Sequence, residues 1–237
     1  MRPTGTLAAA LGATFLLAMP AEAQDPWRIG FRAGLNLASP EISGTGIDTC
    51  GKTSFSGGVL VERRLGNGLS LESGVLVVQR RWDLEYEVLF GTGDSPETAY
   101  VRMRSESVMR SLELPVLLKA TFGHGDLRPW VAAGPVLEIH LSSQSDTVVL
   151  EDGPGIEAGQ AASSSTDDFY RNAVLGFEAA AGLDFRVAER TKIHLDVRGS
   201  PGLSNLLASA PPPNYSYDGR YVRSNDVRIL AGVSFGL

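Results

Sequence analysis

Cysteine is nearly absent from the 237 residues, with Cys50 alone in the first predicted loop. That excludes a disulfide scaffold and any zinc or iron–sulfur centre built on thiolates. Positive charge is also short: 21 Lys and Arg against 27 Asp and Glu leave a net charge of −6, which argues against a nucleic-acid partner. Charged residues make up 20% and apolar ones 43%, a balance foreign both to disordered tails and to bundles of spanning helices. Beyond residue 23 no apolar run approaches the ~20 residues of a spanning helix. What the chain does have is glycine, 27 residues of it, and a mean hydropathy of +0.00.

The first 23 residues read as a secretory leader. Arg2 is the positive start, Leu7 to Ala18 the apolar stretch, and Ala21-Glu22-Ala23 a small-residue cleavage site that predicts a mature start at Gln24. Residues 24–237 then form one domain outside the cytoplasm. It is either soluble or a β-barrel in an outer membrane, because only helices and closed barrels satisfy their own backbone in lipid.

The apolar period is two, the mark of strands with unlike faces. From Trp27 to Leu37 every odd position is apolar and the even ones are Arg, Gly, Arg, Gly and Asn. The same alternation predicts strands over 54–64, 69–79, 112–122, 130–141, 172–185, 192–198 and 227–237. Short and long connections take turns. Gly66-Asn67-Gly68, Gly123-His124-Gly125-Asp126 and the segment around Ala188-Glu189-Arg190 are tight, whereas 38–53, 80–111, 142–171 and 199–226 are long. The expected fold is therefore all-β: an eight-stranded antiparallel up-and-down transmembrane β-barrel, with short periplasmic turns and long outside loops.

The faces fix which side is out. Gly30, Gly34, Gly74, Gly134, Gly176 and Gly182 share a face with the charges. Small residues belong where a narrow barrel must fit side chains inside. Large aliphatics then meet lipid. Arg28, Arg32, Glu62, Glu72, Glu113 and Lys119 enter the lumen, and so do Glu138, Glu178, Asp184, Asp196, Arg198 and Arg228, where opposite charges can pair. Along the third strand the outward odd positions change from Val75 and Val77 to Arg81, Asp83, Glu85 and Glu87. The next strand mirrors this with Arg102, Arg104, Glu106 and Arg110 before Leu112. One strand cannot flip its faces, so the surroundings change: this hairpin rises out of the bilayer, with the water boundary near 79–81 and 110–112. The eleven residues from Leu112 to Phe122, tilted by ~45°, cover the ~25 Å apolar band expected of such barrels.

Several segments in order carry a family likeness: Gly30 to Leu37, Leu112-Glu113-Leu114-Pro115-Val116-Leu117-Leu118-Lys119, Arg128 to Pro135, Gly202-Leu203-Ser204-Asn205, and the ending Gly232 to Leu237. With them the mature chain resembles the PorT-like outer-membrane β-barrel domain family of Gram-negative bacteria. The resemblance implies an outer-membrane address and no particular activity. The family often ends on an aromatic residue that aids assembly, whereas here Phe235 stands two short of the end.

Candidate chemistry is thin. His124 falls in a turn, and His140 and His194 point into the lumen near Glu138 and Asp196. They read as hydrogen-bonded lumen residues, because a lipid-modifying enzyme needs its nucleophile, base and acid where lipid can reach. Ser163-Ser164-Ser165 reads as loop. Asp146, Glu151, Asp152, Asp167 and Asp168 make the third loop acidic without the spacing of a known calcium loop. Trp27, Trp130 and Tyr170 are candidates for interfacial girdles. No catalytic, cofactor or metal residue is assigned. The expectation is a non-catalytic barrel with a packed polar lumen, in contact with outer-membrane lipids and lipopolysaccharide, and with a protein partner at the second outside loop. A lipid-A or phospholipid-modifying enzyme and a soluble lipocalin-like periplasmic carrier are the alternatives.

Overall fold

The computed structural model describes residues 27–42, 48–91, 98–153, 155–201, 206 and 222–237. The expected leader and the Gly202–Asn205 motif lie outside them. Among the described residues nine strands follow one another: β1 (Arg28–Ile42), β2 (Asp48–Gly66), β3 (Leu69–Gly91), β4 (Thr98–Thr121), β5 (Leu127–Val149), β6 (Ala161–Ser165), β7 (Ala173–Arg186), β8 (Thr191–Ser200) and β9 (Val222–Gly236). All pairings are antiparallel. β4 joins β5, and β1 joins β9 from Arg28↔Gly236 to Ile42↔Val222, so the sheet closes into a ring of eight. The ninth strand is a correction to the sequence reading. Ser163 to Ser165 is not loop but part of β6, which pairs with the outer end of β5.

Turn chemistry explains the tight ends. Asn67 has a φ of 52° and Gly68 one of 79°, so the β2–β3 turn uses residues that tolerate left-handed backbone. The barrel is inside out relative to a soluble one. Phe31, Leu35, Val75, Leu118, Val131, Leu195 and Ile229 are exposed, while Arg32, Glu72, Lys119, Glu178, Arg198 and Arg228 are buried. Three strands run well past the predicted lengths, β3 and β4 reaching 23 and 24 residues and β5 reaching 23. Between Arg110 and Ser111 the β4–β5 register slips, leaving Leu141 unmatched in a β-bulge. Below the bulge β5 turns even residues inward (Trp130, Ala132, Val136); above it the odd ones face in (Ser143, Val149).

Candidate functional site

The lumen is filled by two ion-pair networks built from the inward columns of the strands. At the outer end Arg80, from β3, reaches Asp226 at 2.6 Å, Glu138 at 2.6 Å, Glu113 at 2.9 Å and Ser111 at 2.6 Å. Arg228 pairs with the same Glu113 and with Glu178 at 2.6 Å. Arg198 continues inward, donating to Glu178 at 2.9 Å, Asp196 at 2.8 Å and Glu72 at 2.8 Å, and Arg32 joins Glu72 at 2.8 Å and Asp196 at 3.1 Å. Nearer the short turns Lys119 bridges Glu62 at 3.1 Å and Asp184 at 3.2 Å. Except for Glu62 and Glu138, which are partly exposed, these groups are almost fully buried. An isolated charge there costs several kcal/mol or more, so each is retained with its partners.

The lumen is not purely polar, which modifies the sequence reading. Leu60, Leu76 and Val78 form one buried apolar cluster, and Leu117, Trp130, Ala132 and Ala180 form another. Trp130 is therefore not in an interfacial girdle. Its even position aims it inward, between Arg32 at 5.5 Å and Lys119 at 4.4 Å from the ring. Gly182 makes room for it: a Cβ there would lie 2.7 Å from the indole. Tyr170 is also no girdle residue, since it packs on the Trp82–Met109–Leu206 cluster and lies 5.4 Å from the His140 ring. Trp27 is half-buried beneath the Arg63 guanidinium.

Two of the three histidines do enter the interior. His194 holds Asp184 through Nδ1 at 2.7 Å and Ser234 Oγ through Nε2 at 2.6 Å. The order Asp–His–Ser is that of a hydrolytic triad, an arrangement that spacing could not reveal because the three residues come from β7, β8 and β9. Asp184 is also shared with Lys119 and Lys192, and Arg28 Nε donates to the Ser234 hydroxyl at 3.4 Å. His140 donates to Asp167 at 3.1 Å. Asp167 also accepts from the Ser143 N–H and from the Ser143 and Ser165 hydroxyls, and these donors, the Ser143 N–H foremost, hold its carboxyl down at about 2. His124 is exposed in its turn.

Above the lipid-facing band the polarity reverses. The β3–β4 hairpin turns Trp82, Met103 and Met109 inward and packs Tyr86 and Val88 near Val101 and Val149, giving an ordinary apolar core. Its outer face carries Lys52–Asp83 at 2.8 Å, Arg81–Glu106 at 2.6 Å, Arg102–Glu151 at 3.5 Å and Arg104 on Glu85. Arg110, at the foot of this face, is exposed with no carboxylate in reach among the described residues. In the acidic third loop Asp152 caps the Ala158 N–H at 2.7 Å. Among the described residues no group of three His, Cys, Asp or Glu side chains is placed to hold a metal.

Among curated proteins none matches the chain. Solved structures similar to it include Neisserial surface protein A, at 13% identity over 89% of this chain and 97% of that one with a TM-score of 0.42. OprG from Pseudomonas aeruginosa aligns at 10% identity over 90% and 97% with a TM-score of 0.46. The outer membrane protease OmpT from Escherichia coli aligns at 8% over 93% and 99% with a TM-score of 0.45. A family model described as an outer membrane protein beta-barrel domain matches residues 22–208. With a closed ring of strands, lipid-coloured outside and charged within, the chain belongs to that outer-membrane β-barrel family.

Proposed function

We propose that this protein is a non-catalytic outer-membrane barrel that works through its outside surface. The β3–β4 hairpin receives a protein partner, and the cations at its foot receive lipopolysaccharide of the outer leaflet. The observation that carries this reading is the reversal of polarity along β3 and β4. A hairpin with its own apolar core is rigid enough to present a fixed charged face. Arg110 stands where aliphatic Leu112 gives way to water, the height of the anionic lipid headgroups, and its charge has no partner among the described residues. The ordered segments from Gly30 to Leu37 and Leu112 to Lys119 favour the PorT-like branch of the family.

Photo-crosslinking in cells tests this. A benzophenone side chain at exposed Glu87 is expected to trap a discrete protein partner, and one at Arg110 to trap lipopolysaccharide, whereas a control at lipid-facing Val197 traps neither. Adducts no stronger at Glu87 and Arg110 than at Val197 would refute the reading.

The Asp184–His194–Ser234 chain favours a second reading, a hydrolase. Two features weigh against it: Ser234 is buried, and its hydroxyl already accepts from Arg28. Covalent labelling of Ser234 by a fluorophosphonate, lost in His194→Gln, would establish the hydrolase instead.

A further inference from the structure

The inward columns of the barrel end in cations at one mouth only. Arg28 on β1, Arg64 on β2, Arg128 on β5, Arg186 on β7 and Lys192 on β8 continue the lumen-facing parity of their strands to the periplasmic rim. β3, β4 and β9 end there on Ser70, Thr121 and Gly236, so no column ends in an acid. Arg190, in the β7–β8 turn, adds a further guanidinium. In a chain of net charge −6 this is a local reversal of sign.

Four of these groups, Arg28, Arg128, Arg186 and Arg190, have no carboxylate within ion-pair distance among the described residues. Arg28 donates to the Arg190 carbonyl at 2.9 Å and Arg128 to the Gly125 carbonyl at 2.9 Å. A carbonyl fixes a guanidinium in place without neutralising it. The nearby acids Glu62 and Asp184 are drawn deeper, onto Lys119 and Lys192. Among the described residues only Asp126 and Glu189 bring acid to the turns here, and neither pairs with an arginine.

We propose that this periplasmic mouth binds an extended polyanion whose charges are carboxylates, held by Arg28, Arg128, Arg186 and Arg190. The four lie along an arc from β5 through β7, β8 and β9 to β1. At ~4.8 Å per strand spacing the arc is roughly 20 Å long, the reach of several charges on one chain rather than of a single small ion. Arg28, Arg128 and Arg186 prolong lumen-facing columns, so they meet periplasmic water along the barrel axis and not the headgroups around its wall, and Arg190 joins them from the β7–β8 turn. Just inside, the Lys119–Asp184–His194–Ser234 layer blocks the way, and the ligand is held at the mouth rather than passed through. Clustered arginines, Arg28 and Arg128 among them held by carbonyls, pair bidentately with carboxylates, and binding that rests on them weakens as salt rises.

The test uses the full mature chain folded in uncharged detergent micelles, with fluorescent poly-L-glutamate as the probe. Saturable binding is expected, weakening with salt. Replacing Arg128, Arg186 and Arg190 together by Ala is expected to lower affinity at least tenfold, while Arg102→Ala with Arg104→Ala at the opposite end leaves it unchanged. Arg186→Glu with Arg190→Glu, at two exposed side chains without partners among the described residues, gives the same loss if the triple variant does not fold. No binding, or equal binding by the folded variants, overturns the proposal. So does displacement of the probe by phosphatidylglycerol doped into the micelles with the same arginine dependence, which would make the rim a lipid-headgroup site.

Discussion

Arg80 is the residue on which the outer half of the lumen depends. It alone touches Asp226, Glu138 and Glu113 together. Arg80→Met removes one cation, strands Asp226 and Glu138 and leaves Glu113 on Arg228 alone, a loss on the order of 3–5 kcal/mol for a broken buried pair. The expected readout is a lower midpoint for loss of heat-modifiable migration, partly restored by adding Glu138→Gln. Gly182→Val is expected to be similarly damaging, because the added carbons enter the space of the Trp130 ring. It should also shift Trp130 fluorescence. At this scale the sequence was half legible. Parity placed the lumen charges correctly. It also placed Trp130 inside, but the expectation of an interfacial tryptophan took precedence over the residue's own position in the alternation. Leu60, Leu76 and Leu117 sit on the inward face because a narrow interior offers little water to the network around them.

Among the elements, the β5–β6 extension shows what short-range pattern cannot tell. Ala161 to Ser165 has neither alternation nor large side chains, and becomes a strand only because β5 outlives its pairing with β7 and offers a free edge. The bulge at Leu141 likewise leaves no mark in composition, yet it reverses the facing of everything above it on β5. Asp167 ties this region together. Its carboxyl, ordinarily near 3.8, is held at about 2, so its ionised form is favoured by the fold. The contribution is therefore complete above the ordinary carboxyl range and lost as pH falls through about 2. Asp167→Ala should speed exchange of the Ser143 amide roughly tenfold near neutral pH, the size of a lost charge-assisted hydrogen bond. At pH 2 the difference from the parent should shrink, as measured by hydrogen–deuterium exchange. The reversal along β3 and β4, by contrast, was plain in the sequence, since Arg81 and Arg110 mark the change of surroundings on two neighbouring strands at matching heights.

For the whole molecule, a lumen spanned by ion pairs implies little conductance. Planar-bilayer recordings should show none that is steady and large for the parent. Arg80→Ala with Arg228→Ala should open a small cation-selective path past Glu113, Glu138, Glu178 and Asp226. A large steady parent conductance would contradict the packed interior. The eight wall strands and the face each turns to lipid could be read because lipid enforces alternation on every wall strand. The wiring inside could not, because each ion pair joins strands distant in sequence. That distance also bears on assembly. The seam between β1 and β9 unites the two ends of the domain, so it can form only after the entire domain has emerged. Arg32 on one side and Arg228 on the other reach carboxylates on strands far from the seam. A sheet still open at this seam would expose these charges to hydrocarbon. The open form is thereby penalised in the bilayer, and closure and insertion should proceed as one cooperative event, with the last strand made deciding when the first is allowed to settle.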